Sequence, residues 1–241
     1  MLIQPFHSKG TPGTEAIVVV FDLEGFSRFF AQPDVHLYAP DYLNVVFNAV
    51  QSIWSIERPY WLTEELDQPI FRADLREPTF AKFMGDGGFY IWTAPDPLET
   101  ITEGFKLSLL QMLWALKRRF WVVTKHARDV VPVPRLPERI RFGVTRGTVY
   151  GLRRAGIEEP VDYVGFAINL AARLQSYCRE IGFVASARLM VQHAQKAAWH
   201  RVTATSIKGF TAEDVYVDFD EFNELDPKVR KSLFAEIAAA E

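Results

Sequence analysis

The chain has 241 residues, 49% hydrophobic and 24% charged, which excludes disorder as its main state and allows one sizeable core. A formal net charge of -3 and a pI near 6.0 exclude a generally basic surface, so neither nucleic acid nor an anionic membrane is an expected partner. Its longest strongly apolar run, "AIVVVF", falls far short of the roughly 18 residues of a membrane span; no signal-peptide pattern opens the sequence, and a cytoplasmic protein is expected.

In chain order, "MLIQPFHSKGTPGTE" mixes Pro, Gly and polar residues without a period and predicts a flexible arm over residues 1–15. Residues 16–22 read as a buried strand rich in Val and Ile. Tyr42, Val45, Val46, Ala49, Val50 and Ile53 then recur at helical spacing within 40–56. Residues 57–78 are charged and Pro-punctuated and predict a surface insertion. "AKFMGDGGFYIW" reads as a hairpin with Asp86 at its tip. Leu98, Ile101, Phe105, Leu109, Met112, Leu116, Phe120 and Val123 step by three and four, predicting one long helix over 97–125. "VVPVPRLPE" is a proline-stiffened connector into the strand "RIRFGVTRGTVYG", and "FAINLAARLQSYC" reads as a further helix. In the tail, Val229, Leu233 and Ile237 predict a docked amphipathic helix within 221–241. The lone Cys178 reads as a packed thiol.

Asp22 ends the first strand and Asp86 sits at the hairpin tip, 64 positions later (86 minus 22). Taken singly, the first also reads as a helix cap and the second as a turn acid. On neighbouring strands they would meet at one sheet edge, where hard oxygen ligands suit Mg²⁺ or Mn²⁺ shared with substrate phosphates. In "DLEGFS" the backbone N–H groups of Gly25, Phe26 and Ser27 at a helix start are candidates for binding phosphate oxygens.

The ordered set "FDLEGFS", "KFMGDGG", "RFGVTRGTVYG", "DYVGFAINLAARLQ" and "IKGF…VYVDF" resembles the class III nucleotidyl cyclase catalytic domain over about residues 16–219. The resemblance implies an α+β fold with a ferredoxin-like βαββαβ core, an antiparallel sheet covered by helices, over a domain of 16–220. It implies a head-to-tail homodimer whose active sites are built across the interface. Asp22 and Asp86 would hold two divalent ions, Mn²⁺ or Mg²⁺, with the Leu23 carbonyl as a further ligand. Asn169 would orient the ribose and Arg173 stabilise the transition state; four apart, they share one helix face. The reaction implied is conversion of a nucleoside triphosphate to a 3′,5′-cyclic nucleotide and pyrophosphate. Where the family often has a triphosphate-binding lysine after "KG", this chain has Phe210, so Lys208 or Arg153, with Arg154 beside it, is the expected replacement.

Lys82 and Asp162 match the positions at which adenylate cyclases of that family read adenine. A donor and an acceptor also fit uracil, and Phe83 and Phe166 are expected to narrow the slot, which favours UTP or CTP over ATP. The same motifs look like the pyrimidine cyclases of bacterial Pycsar antiphage systems, which implies cyclic UMP or cyclic CMP read by a separately encoded effector. The alternatives are an adenylate cyclase making cyclic AMP and a degenerate nucleotide-binding module, for which Phe210 is the support. A diguanylate cyclase would need a "GGDEF"-like hairpin in place of "MGDGG".

Overall fold

The computed structural model describes residues 12–55, 62, 75–94, 101–154, 156–191 and 198–237. Strand β1 (Thr14–Glu24) leads into the short helix α1 (Phe26–Phe30) and then α2 (Val35–Gln51), before the hairpin of β2 (Phe80–Phe83) and β3 (Gly87–Thr93). Helices α3 (Glu103–Arg118) and α4 (Phe120–Val130) precede the long strand β4 (Arg139–Leu152). Their order β2-β3-β1-β4, every pair antiparallel, is the expected ferredoxin-like βαββαβ arrangement.

The remaining elements extend this sheet past β4. They are β5 (Asp162–Val164), α5 (Phe166–Gln175), β6 (Phe183–Ser186), β7 (Trp199–Ala204), β8 (Glu213–Asp218), α6 (Phe219–Glu224), α7 (Pro227–Leu233) and β9 (Phe234–Glu236). The sheet continues β4-β6-β8-β7-β9, with β5 on the far end of β4. The β4–β6 pair is parallel, so the sheet departs there from the expected antiparallel rule. The physical reason is α5, which carries the chain back across the sheet between the two strands, as a parallel pair requires.

Both faces of β1 are covered, which is why its sequence is a continuous apolar run. Ile17, Val19, Phe21 and Leu23 face the layer of α2, α3 and α4, while Ala16, Val18 and Val20 pack with Ala167 and Ala171 of α5. Helix α5 lies very close to β4: a Cβ on Gly143 would stand 2.1 Å from the Ala171 carbonyl oxygen.

Three expectations are corrected. The long helix of 97–125 is two helices, because the chain turns at Arg119 (φ -109°, ψ 16°) while the buried stripe runs on through Phe120 and Val123. Periodicity reports which face is buried and says nothing of whether the axis stays straight. The tail helix of 221–241 is α6, α7 and then a strand. The Leu233 carbonyl accepts from the Tyr177 hydroxyl at 2.5 Å and from the Thr205 N–H at 2.9 Å, and Phe234 is buried against Phe222 and Tyr177. Pairing of β9 with β7 takes the place of another helical turn. The first predicted strand is longer than 16–22, and residues 1–11 of the expected arm and most of the 57–78 insertion lie outside the described residues.

Candidate active site

Register places Asp22 opposite Gly87 on one side and Arg141 on the other. Gly87 is pressed against β1 so tightly that a Cβ would lie 2.0 Å from the Phe21 carbonyl oxygen; only glycine lets the hairpin close there. The Leu23 N–H donates to the Asp86 carbonyl at 2.8 Å, which ties the hairpin tip to the end of β1. Alternation along β1 puts Asp22 on the α5 side of the sheet, in line with Val18 and Val20. The two acids separated in sequence thus line one cleft of about 770 Å³.

The electrostatics of that cleft are not neutral. Asp22 is 19% exposed and accepts from Arg141 Nη2 at 2.5 Å, while Arg141 Nε has no hydrogen-bond partner among the described residues. Burial pushes the Asp22 carboxyl up, the Arg141 guanidinium pulls it down, and the charge of Asp86 pushes it up again; the net is above the usual carboxylate range. Two carboxylates lining one cleft beside a fixed backbone segment at Leu23 fit a divalent cation bound through oxygen. No group of three or more His, Cys, Asp or Glu suited to a metal gathers among the described residues.

Gly25, Phe26 and Ser27 line the same cleft. Gly25 takes φ 88° at the turn into α1, and the Phe26 side chain is buried on Phe29 and Tyr42, leaving its backbone for any ligand. Glu24 beside them holds Arg139 at 3.2 Å and Arg179 at 3.1 Å.

Lys82 and Asp162, 80 positions apart, form an ion pair. Phe83 is not part of that arrangement. Successive residues of a strand face opposite sides, and Phe83 meets Phe47 of α2 edge-on at 4.8 Å while Lys82 faces Asp162. Phe166 packs edge-on against Phe210 at 5.1 Å, with the Arg188 guanidinium 5.1 Å over its ring. Phe80, which shares a face of β2 with Lys82, meets Tyr163 edge-to-face at 5.1 Å, and both rings pack against the Ala16, Val18 and Val20 cluster.

Asn169 and Arg173 are exposed on α5, and neither lines the Asp22–Asp86 cleft. Arg153 follows the end of β4, twelve residues beyond Arg141 and up to roughly 40 Å along an extended strand. Lys208 stands exposed in the turn between β7 and β8, which Gly209 makes with φ 82°. Within one chain, then, the cleft gathers Asp22, Leu23, Asp86 and Gly25 to Ser27, whereas Asn169, Arg173, Arg153 and Lys208 lie elsewhere. Sequence reasoning missed Arg141. Its signal was the alternation Arg139-Ile140-Arg141-Phe142, which puts two arginines on one side of a strand that is otherwise buried there.

No family model and no curated protein matches this chain. Solved structures do. The adenylyl cyclase CyaB from P. aeruginosa superposes with a TM-score of 0.60 at 18% identity, over 90% of this chain and 99% of that one. The guanylyl cyclase Cya2 follows at a TM-score of 0.55 and 18% identity, over 87% and 93%. The non-canonical dimeric guanylyl cyclase domain of the RhoGC fusion protein from the aquatic fungus Blastocladiella emersonii gives 0.53 at 13%, over 86% and 96%. The fold is that of a class III cyclase catalytic domain. At these identities the likeness is one of fold, and the activity has to be argued from the cleft.

Proposed function

We propose that the protein is a nucleotidyl cyclase. The observation that carries this reading is the meeting of Asp22 and Asp86 in one cleft with the Gly25–Ser27 turn and Arg141, on the fold shared with adenylyl and guanylyl cyclases. Two divalent cations, held by Asp22, Asp86 and the Leu23 carbonyl, would supply the Lewis acidity that activates a ribose 3′-OH and the charge that offsets a triphosphate. The 3′-oxygen bonds to the α-phosphorus, the α–β bridge breaks, pyrophosphate leaves, and the hydroxyl proton passes to solvent. Arg141 presents a guanidinium to the phosphates, and the backbone of Gly25 to Ser27 presents N–H groups. Asn169 and Arg173 are solvent-facing and outside this cleft, which supports a head-to-tail homodimer in which α5 of one protomer completes the cleft of the other. There Arg173 would stabilise charge at the α-phosphate and Asn169 would orient the ribose, with Arg153 or Lys208 reaching the phosphates from the partner.

For the base, Lys82 and Asp162 serve as donor and acceptor. Support for a pyrimidine, UTP or CTP, comes from the resemblance of the motifs, since Phe80 and Tyr163 near the pair pack against the Ala16, Val18 and Val20 cluster. A cyclic pyrimidine nucleotide would be the messenger for a separate effector in antiphage defence, a role supported by the resemblance of the motifs alone. Incubation with Mn²⁺ and each of ATP, GTP, CTP and UTP, with products identified by mass, tests this. Cyclic UMP or cyclic CMP is expected. Cyclic AMP would overturn the pyrimidine preference, and no product from any triphosphate would move the reading to a nucleotide-binding module.

A further inference from the structure

Five arginines line the cleft: Arg28, Arg135, Arg139, Arg141 and Arg179. Arg141 faces Asp22, and Arg139 and Arg179 share Glu24. Arg28 rides on the one-turn helix α1. Arg135 differs from all of these in how its backbone is mounted.

Gln32 Nε2 donates to the Arg135 carbonyl at 2.7 Å, and the Arg135 N–H donates to Gln32 Oε1 at 2.9 Å. Two residues on, the Pro137 carbonyl accepts from Thr124 Oγ1 at 2.9 Å and from the Tyr42 hydroxyl at 3.4 Å. Leu136 between them is buried, and prolines at 132, 134 and 137 stiffen the segment. The connector is thus clamped to α1's exit, α2 and α4, yet the Arg135 guanidinium has no hydrogen bond or ion pair among the described residues. A solvated arginine gains nothing from a fixed backbone, whereas one that must meet a ligand loses less freedom on binding.

We propose that Arg135 binds the terminal phosphates of the nucleotide and the pyrophosphate that leaves, with Gln32 as its positioning residue; this rests on the cyclase reading. Its planar fork of donors matches phosphate oxygens, and it supplies cationic charge in a chain where Phe210 stands in place of a lysine.

The probe is inorganic tripolyphosphate with Mn²⁺, titrated by calorimetry into the full chain. Arg135→Ala should weaken tripolyphosphate by about tenfold, Arg135→Lys should restore part of it, and the affinity for Mn²⁺ alone should stay unchanged. Gln32→Ala should weaken it less, and should cost nothing further in the Arg135→Ala background, a coupling that a purely structural glutamine would not show. Parent affinity in Arg135→Ala, in a preparation whose parent still makes cyclic nucleotide, overturns the assignment and leaves the cyclase reading standing. A parent that binds no tripolyphosphate and converts no triphosphate overturns both.

Discussion

Asp22 and Asp218 are both shielded aspartates at strand ends, and their surroundings push them in opposite directions. Asp218, 1% exposed, accepts from the Glu221 N–H at 3.0 Å, Trp114 Nε1 at 2.7 Å and Lys117 Nζ at 3.1 Å. Burial pushes its carboxyl up, but the Glu221 N–H, the Lys117 charge and the Trp114 donor together hold it below the usual range. Asp22 has one arginine against burial and a neighbouring carboxylate, and ends above that range. An acid whose two oxygens both accept hydrogen bonds from fixed donors is a fixture of the fold. An acid held above its ordinary range in a cleft is, on the cyclase proposal, where a cation would bind.

The contrast breaks first by deletion. Asp22→Ala or Asp86→Ala should lower product formation by about a thousandfold or more while elution volume and melting stay near the parent's. Retained metal-dependent turnover in either variant would refute the two-carboxylate site. Asp218→Ala should do the reverse, removing about 3–5 kcal/mol of stability in urea titration by leaving Lys117 buried beside Glu221 alone. If Asp218→Ala instead melts like the parent, the distinction between the two acids fails.

A smaller effect sharpens the placement of α5. Mixing Asp22→Ala and Arg173→Ala protomers should restore activity to at most about a quarter of the parent's, through one intact shared site per mixed dimer. Subunit exchange seen by labelled pull-down without any recovery would refute the shared site.

The smallest effects concern pH, and the two acids carry opposite signs. The depressed Asp218 contributes stability that is present above the unfolded value of about 3.9 and is lost as pH falls through its folded value. Asp218→Asn should therefore flatten the acid limb of a melting-temperature profile. The raised Asp22 contributes stability at low pH that is lost as pH rises through its folded value, so metal-free Asp22→Asn should melt no lower than the parent at pH 7. A clear fall in the Asp22→Asn midpoint would show that Arg141 outweighs burial.

Legibility from sequence followed the range of the interactions. The strand-helix alternation was readable because apolar periodicity is local, and β1, β3, β4 and α5 stand where "AIVVVF", "GGFYIW", "RIRFGVT" and "FAINLAARLQ" place them. Phe83 meets Phe47 rather than the Lys82–Asp162 pair, because position next to Lys82 says nothing of facing the same way. Arg135 looked like part of a linker, since the Gln32 clamp joins residues 103 positions apart.

What the sequence determined by itself was therefore the set of parts: which segments become strands and helices, which glycines admit a close approach, and which acids end a strand or tip a hairpin. These are short-range consequences of sterics and burial. What only the tertiary structure decided was the company each charge keeps. That Asp22 stands between Asp86 and Arg141, while Asp218 stands among Trp114, Lys117 and the Glu221 N–H, depends on register and strand order. Those arise from the packing of the whole sheet, and no window of the sequence contains them.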